Sequence, residues 1–267
     1  MFRQHFGLKF NPFDKDIPVD KLFESKDTDE LESRLQYMLK NRGIFLLVGE
    51  PGSGKSTALR KLVTSLGQTL YRTFYLSLTT LTVKEFYQHL ASIFGEIPAN
   101  RKAEVFRQIQ NSISSMYNDQ RITPVIVIDE VHMASTAILD DMRLLCNFQM
   151  DSANPFVLIL SGQPQIKNKL ALNTCYPLRQ RIQLNYTMKG LTVEEIEQYC
   201  NTRMKLAGCP HESVFAPSAA GLIHSSSGGF LRTVNKIAVA SLMYCMQKNL
   251  LSVDKEVVYQ ANSEVEF

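Results

Sequence analysis

The chain has 267 residues, 45% of them hydrophobic and 21% charged, with a formal net charge of +3. That apolar content builds a real core and excludes an extended, disordered chain. A balance this close to neutral neither demands nor excludes a nucleic-acid partner, because net charge says little about local patches.

Residues 1–26 read as irregular, punctuated by Pro12 and Pro18. A helix is expected over 27–41, capped by Asp27 or Thr28, striped by Leu31, Leu35, Met38 and Leu39, and stopped by Gly43. Strands and helices then alternate. Strands are expected at 44–48, 70–78, 125–128, 156–160 and 181–186. Helices are expected from the end of a Gly-rich loop to 65, and at 83–94, 102–117, 135–147 and 164–171. Such alternation implies an α/β domain, a parallel five-stranded sheet flanked by helices. After 190 the strand pattern stops. Thr192 caps a helix with Glu194 and Glu195 in its first turn, and further helices are expected at 216–225, 230–247 and 254–262. The expected organisation is an α/β domain over 1–189 and a small all-α domain over 190–267.

The Gly-rich loop carries the chemistry. Gly49-Glu50-Pro51-Gly52-Ser53-Gly54-Lys55-Ser56-Thr57 follows a strand and opens a helix, the context of a phosphate-binding P-loop. Glycines at 49, 52 and 54 let the backbone turn tightly so that its N–H groups face phosphates. The helix that follows adds the positive end of its dipole. Lys55 is placed to reach the β- and γ-phosphates, and the Ser56 hydroxyl to ligate Mg²⁺. Val125–Ile128 is an apolar strand that ends in Asp129 and Glu130. Charges at a strand end belong to a ligand, so Asp129 is read as a Mg²⁺ holder and Glu130 as the group that polarises the attacking water. No Asn-Lys-x-Asp guanine-reading motif occurs, so ATP is preferred to GTP. Asp129-Glu130-Val131-His132 also spells a helicase DExH box. That reading requires a second RecA-like domain, which the residues after 190 do not supply, and His132 is given no role.

Five cysteines, Cys146, Cys175, Cys200, Cys209 and Cys245, form no CxxC pair. They read as reduced thiols rather than a disulfide framework. Cys200, Cys209 and His211 match no zinc spacing. The N-terminus has no signal-peptide pattern, and the longest apolar runs are too short to span a bilayer. A cytoplasmic protein with no membrane partner is expected.

Several segments together resemble the AAA+ ATPases, and within them the ExeA/TniB/TnsC group. They are Phe6-Gly7-Leu8 with Asn11-Pro12-Phe13, the strand and P-loop over 43–52, and the acidic strand end. They continue with Arg143-Leu144-Leu145-Cys146-Asn147-Phe148, Leu160-Ser161-Gly162-Gln163-Pro164, Leu178-Arg179-Gln180-Arg181-Ile182, and Gly228-Gly229-Phe230-Leu231-Arg232 with Asn235. The resemblance implies that Asn11, Pro12 and Phe13 lie against the adenine. It implies that Gln163, with Ser161 the neighbouring alternative, senses the γ-phosphate, and that Arg232 is the second sensor. Arg181, or Arg179 beside it, resembles the arginine finger that one subunit presents to the next. A finger in trans implies a homo-oligomer, either ring or helical filament.

The resemblance further implies a regulator of DNA transposition that assembles on double-stranded DNA with ATP and recruits a DDE transposase. Lys84, Arg101, Lys102, Arg107 and Arg121 supply the positive charge that backbone contact requires. The alternatives are an ExeA-like secretion ATPase, whose transmembrane and peptidoglycan-binding parts are not seen in the sequence, and a DNA-independent switch or scaffold.

Overall fold

The computed structural model describes residues 2–14 and 17–263. The apolar runs become strands of one five-stranded sheet: β1 (Gly43–Val48), β2 (Tyr71–Ser77), β3 (Thr123–Asp129), β4 (Val157–Gly162) and β5 (Ile182–Thr187). Their order is β2-β3-β4-β1-β5, and every pairing is parallel. The three central strands β3, β4 and β1 are buried along nearly their whole length, whereas β2 and β5 at the edges alternate between buried and open positions. A parallel strand covered on both faces has no solvent side to pattern, so it reads as a continuous apolar run.

The two-residue period of each strand divides its side chains between two cores. Ile44, Leu46, Val48, Ile126, Ile128, Leu158 and Leu160 face one side, where Phe86, Leu90, Val105, Ile109, Ile138, Met142 and Ile166 cover them. Phe45, Leu47, Val125, Val127, Val157 and Ile159 face the other, under Leu31, Leu35, Met38, Leu39, Leu59 and Leu62. The first set of covering side chains comes from the helices Val83–Ile93, Lys102–Ser114, Thr136–Leu145 and Gln165–Leu170. The second comes from Lys26–Asn41 and Lys55–Ser65. The predicted stop of the 27–41 helix is shifted by one residue. Arg42 takes the left-handed turn at φ 58°, and Gly43 is already the first residue of β1. The helix expected over 102–117 changes to a π turn at Ser115–Asp119.

Two compact units make up the chain. One comprises Glu30–Glu50 and Lys55–Met188; the other comprises Met1–Asp29, Pro51–Gly54 and Lys189–Phe267. The second unit contains the helices Val193–Leu206, Pro217–Ser227, Leu231–Lys248 and Lys255–Asn262. The first of these has the expected capping box, with Thr192 and Glu195 each bonding the other's backbone N–H. Residues 2–14, expected to be irregular and grouped by sequence with the α/β domain, instead open with the helix Phe2–His5 and send Phe2, Phe6, Leu8 and Phe13 into the core of this helical unit. Arg203 fixes them there: its buried guanidinium donates to the carbonyls of Pro12 and Asp14.

The Gly228-Gly229 pair has a steric reason. Leu191 N–H donates to the Gly229 carbonyl at 2.9 Å. Gly190 and Gly229 both have positive φ, at 88° and 77°. A Cβ on Gly229 would overlap the Leu191 carbonyl oxygen, and one on Gly190 would lie 2.9 Å from the Gly229 oxygen. Two backbone segments therefore cross in contact. Gly229→Ala is expected to destabilise the protein by about 2–4 kcal/mol, the sum of left-handed strain and a backbone clash that no side-chain rotation relieves. Chemical denaturation followed by circular dichroism measures this, and a loss under about 1 kcal/mol would show that the crossing relaxes freely.

Candidate functional site

The C-terminal ends of β1, β4 and β3 lie side by side, which is where an open parallel sheet presents its ligand site. β1 runs directly into the P-loop. Gly49 N–H donates to the Gly162 carbonyl at 3.2 Å, so the first residue of the loop is tied to the end of β4. Lys55 is buried, and its Nζ donates to the carbonyls of Gly49 and Glu50 at 2.7 and 3.0 Å. The ammonium is thereby pulled back over the start of the loop. Gly52 and Gly54 take φ of 84° and 100°, the left-handed conformation that the motif's glycines were expected to supply.

Within the helical unit, Gly52 has a second duty that the sequence motif did not announce. Its carbonyl accepts the Arg232 N–H at 3.2 Å, and a Cβ there would lie 2.5 Å from the Arg232 Cβ. The first turn of the Leu231–Lys248 helix thus rests on the loop's backbone, and the exposed Arg232 side chain starts from that point. In the same unit, the Ser53 hydroxyl is buried with no hydrogen-bond partner among the described residues.

Asp129 ends β3 and is 3% exposed. Its carboxylate accepts from four donors. The Ser161 hydroxyl lies 2.7 Å from Oδ1, and the Glu130 N–H 2.9 Å from the same oxygen. The Tyr75 hydroxyl lies 3.1 Å from Oδ2, and the Ser56 hydroxyl 3.3 Å from it. Ser161, on β4, is fully buried. The hydroxyl of Ser161 is therefore committed to orienting Asp129. Tyr75 was missed by sequence reasoning. It sits on edge strand β2 with its ring half open to solvent. Burial first, then the Asp129 carboxylate and the hydrogen bond to it, push its phenol up to about 12, so it remains a donor at neutral pH.

Glu130 leaves the strand in a left-handed conformation, φ 56° and ψ 32°. The chain then closes a 3₁₀ turn, Val131–Met133. Glu130 is partly exposed, with Oε2 3.3 Å from Nδ1 of His132. The same ring nitrogen lies 3.4 Å from the Gln163 N–H. Gln163 itself is half-buried just past β4.

The predicted arginines share the short helix Tyr176–Arg181, which sequence reading did not anticipate. Arg181 is half-buried and donates to the Arg143 carbonyl at 3.3 Å. Arg179 is exposed, with its guanidinium 5.2 Å from the centre of the Tyr176 ring. In the N-terminal segment, Asn11 Oδ1 accepts the Phe13 N–H at 3.1 Å. The Phe13 ring is buried edge-on to Phe215 at 5.9 Å, so the segment's backbone, rather than this ring, is what it can present to a base. The basic residues Lys84, Arg101, Lys102, Arg107 and Arg121 are all exposed; Lys102 is paired with Asp141 at 2.5 Å, and Arg101 lies 4.0 Å from Glu104.

These residues fit ATP with Mg²⁺. In the sheet unit the Lys55 ammonium suits phosphate oxygens; in the helical unit the orphan Ser53 hydroxyl and the positive-φ Gly52 and Gly54 have the same chemistry. Ser56 and Asp129 are hard oxygen donors of the kind Mg²⁺ selects. Bound there, Mg²⁺ would neutralise the charge that phosphoryl transfer spreads over the phosphate oxygens.

Residues 37–170, just over half the chain, match the family described as AAA domain. The chain is 29% identical over 248 residues to General secretion pathway protein A of Aeromonas hydrophila. The match covers 91% of this chain and 44% of that protein, so the chain spans less than half of its relative's length. Among solved structures it is similar in fold to Cdc6p of Pyrobaculum aerophilum, with TM-score 0.69 and 19% identity, over 96% of this chain and 71% of that one. It is likewise similar to the Aeropyrum pernix ORC1 protein in complex with DNA, with TM-score 0.64 and 18% identity, over 96% and 69%. Sheet order, P-loop and acidic strand end agree with the family match, and the chain belongs to the AAA family of P-loop ATPases.

Proposed function

We propose that this ATPase assembles with ATP on double-stranded DNA as a regulator of DNA transposition, recruiting or activating a DDE transposase at the target and resetting when ATP is hydrolysed. The observation that carries the hydrolysis in this reading is the carboxylate pair at the end of β3. Asp129 is fixed by four donors, while Glu130 turns away from the strand with its carboxylate only loosely held. A metal holder saturated with donors beside a partly exposed carboxylate suits hydrolysis better than binding alone. Lys55 neutralises the β- and γ-phosphates, Ser56 and Asp129 hold Mg²⁺, and Glu130 polarises the attacking water. Gln163 senses the γ-phosphate at the end of β4, and Arg232 reports from the helical unit. Asn11, Pro12 and Phe13 border the adenine through their backbone.

Arg181, with Arg179 the alternative, completes the site of a neighbouring copy, which makes the working form a ring or a helical filament. The exposed charges of Lys84, Arg101, Arg107 and Arg121 suit phosphate-backbone contact, and the fold likeness to a protein solved in complex with DNA supports a DNA partner. No helix among the described residues is long and apolar enough to cross a membrane, and a cytoplasmic location accords with a DNA partner. A second reading, an ATPase of a secretion system, is favoured by the 29% identity to General secretion pathway protein A over 91% of the chain.

Electron microscopy and fluorescence anisotropy with duplex DNA and a non-hydrolysable ATP analogue separate the two readings. ATP-dependent assemblies on DNA, weakening as salt rises, are expected. Monomers without DNA affinity at low salt would leave the secretion reading standing. Glu130→Gln is expected to keep ATP binding, lower turnover by about two to four orders of magnitude, and prolong the DNA assembly. Unchanged hydrolysis would remove Glu130 from its role. Arg181→Ala is expected to lower turnover without weakening ATP binding by the monomer. Mixing it with Lys55→Ala subunits should restore part of the activity, and a mixture as inactive as its components would count against sharing across an interface.

A further inference from the structure

The turn after Glu130 is held unusually firmly for so short a segment. Lys169, from the Gln165–Leu170 helix, donates through Nζ to the carbonyls of His132 and Ala134 at 2.6 and 2.7 Å. On the strand side, Gly162 lets β4 approach it. A Cβ there would lie 3.0 Å from Val131 Cγ1 and 3.2 Å from the His132 nitrogen. The His132 side chain is only 11% exposed, so its ring is placed by packing as well as by backbone. Its Nδ1 faces two groups at once, the Glu130 carboxylate at 3.3 Å and the Gln163 N–H at 3.4 Å.

Chemistry makes those two contacts exclusive. One imidazole nitrogen either carries a proton and donates it to a carboxylate, or presents its lone pair to an N–H. Glu130 and Gln163 therefore compete for a single atom. Gln163 follows directly on β4, whose buried Ser161 holds Asp129.

We propose that His132 is a positioning residue for ATP hydrolysis: its Nδ1 aims the Glu130 carboxylate and couples that aim to the Gln163 backbone. This rests on the reading of Glu130 as the group that polarises water. His132 does not touch the nucleotide and supplies no proton to it. When the Gln163 N–H withdraws, the ring proton exchanges through water from Nε2 to Nδ1, which then donates to the Glu130 carboxylate and fixes it. When the Gln163 N–H returns, the carboxylate is released.

The test uses two amides of different reach. An asparagine amide sits where Nδ1 is, whereas a glutamine amide reaches the position of Nε2. His132→Ala, His132→Asn and His132→Gln are compared with the parent for kcat at saturating ATP, with and without duplex DNA. Affinity for a fluorescent ATP analogue and thermal stability are read beside it. His132→Ala is expected to lower kcat at least about tenfold with ATP affinity unchanged within about twofold. His132→Asn is expected to recover kcat to within about threefold of the parent, and His132→Gln to resemble the alanine variant. Equal deficits in the asparagine and glutamine variants, or a kcat in the alanine variant that is unchanged or raised, would overturn the proposal. If the alanine variant melts early, the asparagine–glutamine comparison still decides. Glu130→Gln run in parallel separates the two failures. If it keeps turnover, the role of Glu130 falls; if it abolishes turnover while His132→Ala is silent, only the role of His132 falls.

Discussion

A carboxylate at the end of a strand buried on both faces is the constraint around which this site is built. Asp129 is nearly sealed from water, and a buried charge is tolerated only when its oxygens are saturated with donors. Four groups supply them, drawn from the P-loop helix, from β2, from β4 and from the residue next along the chain. The order β2-β3-β4-β1 is what makes this possible, since it puts β3 between the strands carrying Tyr75 and Ser161. The same saturation leaves little freedom at Asp129. Glu130 has no such shell and turns out of the sheet into a left-handed conformation.

The helical unit is held by different means. Its core is apolar, and the N-terminal segment is part of it, with Phe6 and Phe215 both fully buried. Arg203 replaces water for the carbonyls of Pro12 and Asp14 and stacks near the Tyr199 ring at 5.5 Å. Tyr199 in turn donates to Asn235 at 2.7 Å. The segment opens with the helix Phe2–His5 and continues in turns, and a single long cation satisfies the carbonyls of Pro12 and Asp14 beyond them.

Much of this was legible in the linear sequence because it rests on local signals. Apolar runs at 44–48, 125–128 and 156–160 marked the three central strands, and the capping box at Thr192 marked the start of the Val193–Leu206 helix. The P-loop and the carboxylate pair were recognisable because their chemistry lies in consecutive residues. What escaped depends on register between distant segments. Nothing in the Tyr71–Ser77 run says that Tyr75 rather than its neighbours will reach Asp129. Nothing around His132 says that Gly162 will let β4 come close enough for Gln163 to share its ring. Lys102 looked like any other surface cation, and only the fold brings Asp141 to it. Residues 2–14 lack a periodic pattern, so the place of Phe2, Phe6, Leu8 and Phe13 in the helical unit's core was equally invisible.

Gly52 has a consequence for how nucleotide dependence in this protein is dissected. In most phosphate loops a glycine substitution is taken as a lesion in ligand binding. Here the missing side chain also makes room for the Arg232 Cβ, and the carbonyl anchors the Arg232 amide. A bulkier residue at 52 therefore injures the architecture before any phosphate arrives, and its phenotype confounds two defects. Lys55, whose ammonium donates to the loop's carbonyls at Gly49 and Glu50, offers a lesion free of that backbone clash. Position 52 instead reports on whether the helical unit's own packing is intact.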